Sequence, residues 1–185
     1  MFRTAALGVL LLFSVDETAV SAIVGDLLFT IPNPTPANDD KFGEKPIAVV
    51  GNNILVGAHL DDTTGTDSGA AYLFNQFGNL VTTFRNPTPA NFDLFGRSIA
   101  AVGDKVLVGA NRDDTGASNA GAAYLFDQSG GLLRTFVNPA PSINDEFGVS
   151  VAGVGNNVLV EVLRTIMRPA PIRVPYTYSI CLETC

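Results

Sequence analysis

Short apolar runs alternate with glycine- and asparagine-rich connectors through most of this chain. Runs of this length predict strands rather than helices, and the connectors predict tight turns. Val-Leu-Val at 106–108 and Ile-Leu-Val at 54–56 are typical of strands covered on both faces. Each unit therefore has four predicted antiparallel strands, which are 98–102, 105–110, 121–126 and 132–137 in one unit and 47–50, 54–58, 69–74 and 80–84 in the other.

One segment recurs three times along the chain. Asn-Pro-Thr-Pro-Ala at 33–37 returns at 86–90, and Asn-Pro-Ala-Pro follows at 138–141. Each is followed by a Phe-Gly pair, at 42–43, 95–96 and 147–148. A repeat of roughly 50 residues that holds four strands is typical of a β-propeller blade. We therefore predict an all-β fold, a partial β-propeller within 23–160, with repeats at about 26–85, 86–137 and, incomplete, 138–160.

The periodic phenylalanine and glycine positions are assigned packing roles. Phenylalanine of the Phe-Gly pair would lie between neighbouring blades, and its glycine would let a backbone pass close to the propeller axis. The Gly-Ala pairs at 57–58 and 109–110 would be small for the same reason.

The third copy departs from the repeat at Glu161, where the other copies have glycine. Nothing after it matches, so we predict an irregular, non-repeat tail over 161–185 without the third and fourth strands. So abrupt a change within a blade is typical of a frameshift, a truncated gene or an alternative end. Open strand edges on about two and a half blades predict self-association of the chain.

The composition and charge of the chain limit the classes of partner that we expect. The chain has 185 residues, of which 46% are hydrophobic and 16% charged, as expected of a core-forming protein. Its net charge of −7 argues against a nucleic-acid partner. No segment after the N-terminal apolar run predicts a transmembrane span.

The N-terminus predicts export. Residues 1–22 combine a positive charge at Arg3, an apolar run over 5–15 and small residues at 20–22, which is the layout of a signal peptide. Asp16 and Glu17 fit that layout less well. The alternative is an irregular first strand of the fold.

No catalytic set emerges from the sequence. His59 is the only histidine, so it is assigned to a loop rather than to a catalytic triad. Cys181 and Cys185 could ligate a metal or form a disulfide, but no second pair accompanies them. We predict a protein that is not an enzyme and that has no cofactor.

An acidic loop between the second and third strands offers a candidate metal or partner site. One interpretation is a hard-cation site at the rim of the propeller, with Ca²⁺ as the ion. The other is a solvated turn whose carboxylates bond to their own backbone, which the spacing favours because it matches no calcium loop. The candidate residues are Asp61, Asp62 and Asp67, and in the next copy Asp113, Asp114 and Asn119.

The order Phe-Gly, Val-Leu-Val-Gly-Ala and Gly-Ala-Ala-Tyr-Leu-Phe resembles the FG-GAP repeat family over about 26–160. That family builds the seven-bladed propeller of integrin alpha chains and of many bacterial and archaeal surface proteins. The resemblance implies a non-catalytic, exported or cell-surface segment for protein interaction or adhesion. Two alternatives remain, a scaffold or binding module of a larger extracellular enzyme and a truncated product without a function of its own.

The chain departs from the family at two places. His59 and Asn111 stand where the Gly-Ala-Pro motif has proline. The family's calcium loop, Asp-x-Asp-x-Asp-Gly between the first two strands, is replaced by tight turns at 51–53, 103–105 and 155–157. A tight turn cannot bring the six to eight oxygens that Ca²⁺ takes, so the family's calcium site is not carried over.

Overall fold

The computed structural model describes residues 29–165 and 175–182, and within them the chain forms strands and no helix. The strands are β1 Ile47–Val50, β2 Asn53–Ala58, β3 Ala70–Phe74, β4 Leu80–Arg85, β5 Phe95–Val102, β6 Lys105–Ala110, β7 Ala122–Phe126, β8 Leu132–Val137, β9 Val151–Val154, β10 Asn157–Thr165 and β11 Pro175–Leu182. The predicted signal peptide, 1–22, lies outside the described residues, as does Cys185.

The strands form three antiparallel sheets, each built from consecutive strands: β1–β4, β5–β8 and β9–β11. The first two sheets share one register, since Val56 pairs with Tyr72 as Val108 pairs with Tyr124. Within each of these sheets the third strand is wholly buried, whereas β4 is partly exposed and β8 is largely exposed. The predicted all-β fold of four-stranded propeller blades is confirmed, with most strand bounds within one residue of those predicted.

Neighbouring blades bury apolar faces against each other. β5 packs against the first three strands, and β9 packs against β5 and β6. Phe95 is fully buried between the first two blades, with its ring 6.1 Å from that of Phe126 in an edge-on arrangement. Phe147 is likewise buried between the second and third blades. The predicted packing of the Phe-Gly phenylalanines between blades holds for both, whereas Phe42 packs on the outer side of the first blade.

The glycines bring adjacent backbones into contact. A Cβ built on Gly57 would lie well inside van der Waals distance of the Gly96 carbonyl oxygen. Gly109 stands in the same relation to Gly148. These two glycines do not have positive φ, so the requirement for glycine comes from space rather than from backbone conformation. The neighbouring blade limits that space at both positions, and at Gly109 the side chain of Ser98 in the same blade limits it as well.

The predicted irregular tail is wrong for the described residues. β10 continues past the end of the repeat to Thr165, and β11 pairs with it along its full length, from Val158–Leu182 to Thr165–Pro175. The third sheet therefore has a third strand, although its sequence is unrelated to the repeat. An open strand edge of β10 accounts for this, because unpaired backbone groups template pairing with any extended segment.

Glu161 stands at the position of Gly57 and Gly109. The backbone geometry is the same, since the Gly148 nitrogen donates to the Glu161 oxygen at 2.9 Å as the Gly43 nitrogen does to the Gly57 oxygen at 3.0 Å. A side chain thus occupies the place that the Phe-Gly carbonyl of a further blade would need. Another blade cannot pack here as the first three do, and self-association through open edges stays a prediction.

Gly57→Ala tests the close approach between blades. Its methyl group would meet a backbone carbonyl that cannot move aside, so we expect a loss of about 2 kcal/mol or more in the free energy of unfolding by urea. Gly51→Ala is the control, since it has φ +61° and nothing within 4 Å of its Cβ. We expect a loss of about 1 kcal/mol there, from backbone strain alone. Equal losses would contradict the packing argument.

Candidate functional site

Two kinds of connection form one continuous surface, which we call the loop face. It contains the loops between the second and third strands of the blades, 59–69 and 111–121, and the segments that join blades, 86–94 and 138–146. Phe92 donates its backbone N–H to the Thr66 oxygen at 2.7 Å, and Asn144 donates to the Ser118 oxygen at 3.0 Å. Each joining segment is thereby fastened to the loop of the preceding blade.

An asparagine and an aspartate seven residues apart close each joining segment. The asparagine Oδ1 accepts the backbone N–H two residues later, and the aspartate Oδ2 accepts a backbone N–H three residues earlier. The two side chains also bond to each other at 2.7 Å in all three copies, which are Asn33–Asp40, Asn86–Asp93 and Asn138–Asp145. Sequence reasoning missed these aspartates, although their equal spacing in three copies was the available signal.

Asp61 is buried rather than solvated, with 1% of its surface exposed. Its Oδ1 accepts the Thr63 N–H at 2.9 Å, as the predicted turn requires, while its Oδ2 accepts the hydroxyls of Thr35 and Tyr72. Burial alone would raise the pKa of Asp61, but the hydrogen bonds from Thr63, Tyr72 and Thr35 outweigh it and hold that pKa below its usual value. The prediction of a solvated turn is therefore wrong for Asp61, which is buried, but it agrees with the exposure of Asp62, Thr63, Thr64 and Thr66 and with the backbone bond.

Asp113 repeats this arrangement with one more partner. Its Oδ1 accepts the Thr115 N–H, and its Oδ2 accepts the Tyr124 hydroxyl at 2.5 Å. The Asn86 amide donates to Asp113 at 2.9 Å as well as to Asp93 at 2.7 Å, so one amide bridges two buried carboxylates. Burial raises the pKa of Asp93 to about 6, against the backbone hydrogen bond from Ala90, and the charge of Asp113 adds to the rise.

Burial also raises the pKa of both tyrosines, and the neighbouring carboxylate reinforces the effect. For Tyr72 that carboxylate is Asp61, and for Tyr124 it is Asp113. Each phenol therefore remains protonated and serves as a hydrogen-bond donor to the acid. These pairs hold the base of the loops together and leave no oxygen of Asp61 or Asp113 without a protein donor.

The other candidate residues brace the loops. Asp62 accepts the backbone N–H of Asp67 at 2.7 Å, and Asp114 accepts that of Asn119 at 2.8 Å. The Asn119 side chain in turn donates to Asn144 at 3.0 Å. Across residues 29–165 and 175–182, no group of three or more His, Cys, Asp or Glu side chains is placed to hold a metal ion.

Two apolar side chains project from the joining segments, and neither was singled out in the sequence. Phe92 is 50% exposed and Ile143 is 70% exposed. Phe92 also has φ 69°, in the left-handed region that bulky residues avoid. The equivalent positions hold Asp39 and Asn144, at φ 65° and 62°, which tolerate that conformation better. In the sequence, the signal was a phenylalanine at a position where the other two copies have aspartate and asparagine.

The chain matches the FG-GAP repeat family over residues 35–74 and 89–126. These two stretches, 78 of the 185 residues, are similar to FG-GAP repeats. Such repeats typically form β-propeller segments involved in ligand binding or adhesion, are generally non-catalytic and generally belong to extracellular or surface proteins. No curated protein matches the chain. In the part of the chain that the structure describes, no helix has the length and apolarity needed to cross a bilayer.

Asp93→Asn tests the bridged carboxylates. Because the pKa of Asp93 is about 6 in the folded state and the ordinary pKa of an aspartate is 3.8, the folded state binds the proton more tightly. Its contribution to stability is complete below about pH 4 and is lost as pH rises through about 6. Asparagine can accept the same bonds without charge. We therefore expect the variant to gain on the wild type by on the order of 2 kcal/mol between pH 4 and pH 7, measured by urea unfolding.

Asp145→Asn is the matched control for that experiment. It makes the same substitution in a joining segment whose asparagine, Asn138, contacts one carboxylate instead of two. It therefore separates the effect of the second carboxylate from that of the substitution. A difference between Asp93→Asn and wild type that does not vary with pH would refute the assignment.

Proposed function

We propose that this FG-GAP segment is a non-catalytic, exported or cell-surface module that binds a protein partner through the loop face. The observation that carries the proposal is Phe92. This side chain is half exposed, lies on a joining segment and adopts a backbone conformation that costs roughly 1 kcal/mol for a bulky residue. A residue that both lowers stability and exposes apolar surface is typical of a binding site.

Two other residues of the loop face support this. Ile143 lies on the next joining segment and is more exposed still. Asn91, beside Phe92, accepts the Thr66 N–H at 3.0 Å and provides a polar border. Apolar anchors within polar surroundings are the usual anatomy of a protein interface, with aromatic residues carrying much of the binding energy.

The loop face is also held rigid before any partner arrives. The Asn–Asp pairs close the joining segments, and backbone bonds fasten those segments to the neighbouring loops. A preorganised surface loses little conformational entropy on binding, which favours affinity. Rigid presentation of variable loops is therefore the mechanism we propose.

Export is the second part of the proposal, and it depends on residues 1–22 with the features of a signal peptide. Expression in a secreting host should deliver the protein to the medium with its N-terminus following Ala22, as N-terminal sequencing would show. A chain that remains in the cell and still begins at Met1 would contradict export. That result would leave the loop-face proposal untouched.

Phe92→Asn tests the loop face directly, because stability and binding should change in opposite directions. Asparagine fits the left-handed conformation, so we expect the unfolding free energy to rise by about 1 kcal/mol. Peptides selected from a displayed random library on immobilised wild-type protein should bind the variant about tenfold more weakly, or worse.

The matched control is Phe77→Asn. Phe77 is 72% exposed in the turn between β3 and β4, at the end of the first blade opposite the loop face. We expect it to leave binding of the selected peptides unchanged. If Phe92→Asn and Phe77→Asn bind those peptides equally well, the loop face is not the binding surface.

A further inference from the structure

A cavity of about 310 Å³ lies where the three blades meet, and we call it the junction cavity. Its lining includes residues of all three blades, namely Glu44, Lys45, His59, Arg97 and Val149. Three of them directly follow a Phe-Gly pair, so the close approach of the blades creates the cavity. Cavities of this size accept small molecules.

Positive charges outnumber negative charges along the junction cavity, where Lys45 and Arg97 are both exposed and Glu44 is the one acid of the lining. Among the described residues neither Lys45 nor Arg97 has an ion-pair partner within 4.0 Å, whereas Glu44 pairs with Lys41 at 3.2 Å. The chain as a whole carries a net charge of −7. Two unpaired cations at one cavity of an acidic protein favour an anionic ligand, and arginine suits a carboxylate because its guanidinium can donate two parallel hydrogen bonds.

His59 contributes a buried polar atom that has no partner. The residue is 8% exposed, and its Nδ1 lacks a hydrogen-bond partner in the described structure. Burial, followed by the charge of Arg97, lowers the pKa of His59, so the ring is neutral at neutral pH and has one N–H to donate. A buried polar atom without a partner is uncommon in folded proteins. Of the four such side-chain atoms among the described residues, which are on Asp40, His59, Arg85 and Asn111, only that of His59 belongs to a residue that lines the cavity.

The second blade shows which chemical group is missing. Asn111 occupies the position of His59, and its amide donates to the carboxylate of Glu146 at 3.2 Å. The position equivalent to Glu146 in the preceding copy is Leu94, which has the same left-handed backbone but no carboxylate. His59 therefore lacks the acid that its counterpart has. A carboxylate from outside the chain would supply it.

We propose that the junction cavity binds a small organic carboxylate, held by Lys45, Arg97 and the ring of His59. Two cations and one N–H donor suit a dicarboxylate better than a single carboxylate. Of the residues that line this cavity, His59 alone belongs to the loop face, as the first residue of loop 59–69. The proposal is independent of partner binding by Phe92. Succinate is the probe, with acetate and citrate as smaller and larger comparators.

His59 is the only histidine of the chain, so its NMR signal can report ligand binding directly. Titration with succinate at constant ionic strength, set by chloride, should give a saturable shift of the single imidazole signal in a proton–carbon NMR spectrum. Succinate should also raise the midpoint of thermal unfolding. If none of the three carboxylates gives a saturable shift at millimolar concentration, the proposal is overturned, and this test on the wild-type chain needs no variant to fold.

Matched double variants locate the site. Lys45→Gln with Arg97→Gln removes both cavity cations, and Lys105→Gln with Arg112→Gln removes two cations that do not line the cavity. We expect the first pair to weaken succinate binding at least about tenfold and the second to change it by less than about twofold. An equal loss in both would show attraction by general charge and would refute the site.

Discussion

The contact between the glycine of one blade and the Phe-Gly carbonyl of the next is the constraint on which this structure depends. Gly57 meets Gly96 and Gly109 meets Gly148, backbone against backbone. This spacing lets the rings of Phe95 and Phe147 pack between the sheets. Since burial of large aromatic side chains supplies much of the energy of a β core, a methyl group at either glycine would separate surfaces that must touch.

The close contact between blades also fixes the conformation of the loop face. Once two blades are in contact, the Phe95 N–H reaches the Ser68 oxygen at 3.0 Å, and the Phe147 N–H reaches the Ala120 oxygen at 2.8 Å. Buried acids then complete the base of the loops. Both carboxylate oxygens of Asp61 accept hydrogen bonds. Asp93, in contrast, shares the amide of Asn86 with Asp113 and has a raised pKa. Polar groups are tolerated inside only because the blades bring their donors close.

The strands could be predicted from the sequence nearly to the residue, because short apolar runs between glycine-rich turns, repeated in register, are a local signal. Asp61 could not be recognised as buried, since its partner Thr35 lies 26 residues away along the chain. β11 could not be predicted either, because its pairing follows from the open edge of β10 and not from any repeat pattern. The Asn–Asp pairs lay within reach through their equal spacing, but a spacing alone does not indicate a hydrogen bond.

Positions at which the copies differ are more informative about function than positions at which they agree. Positions that agree, such as the Phe-Gly pairs, are explained by contacts between blades. Phe92 stands where the other copies have Asp39 and Asn144, and it is less stable there than they would be. His59 stands where Asn111 already has its carboxylate. A repeat built for stability alone would gain from the alternative residue at the first position and from an acid near the second. The two departures are explained together if this chain uses its loop face and its junction cavity for ligands.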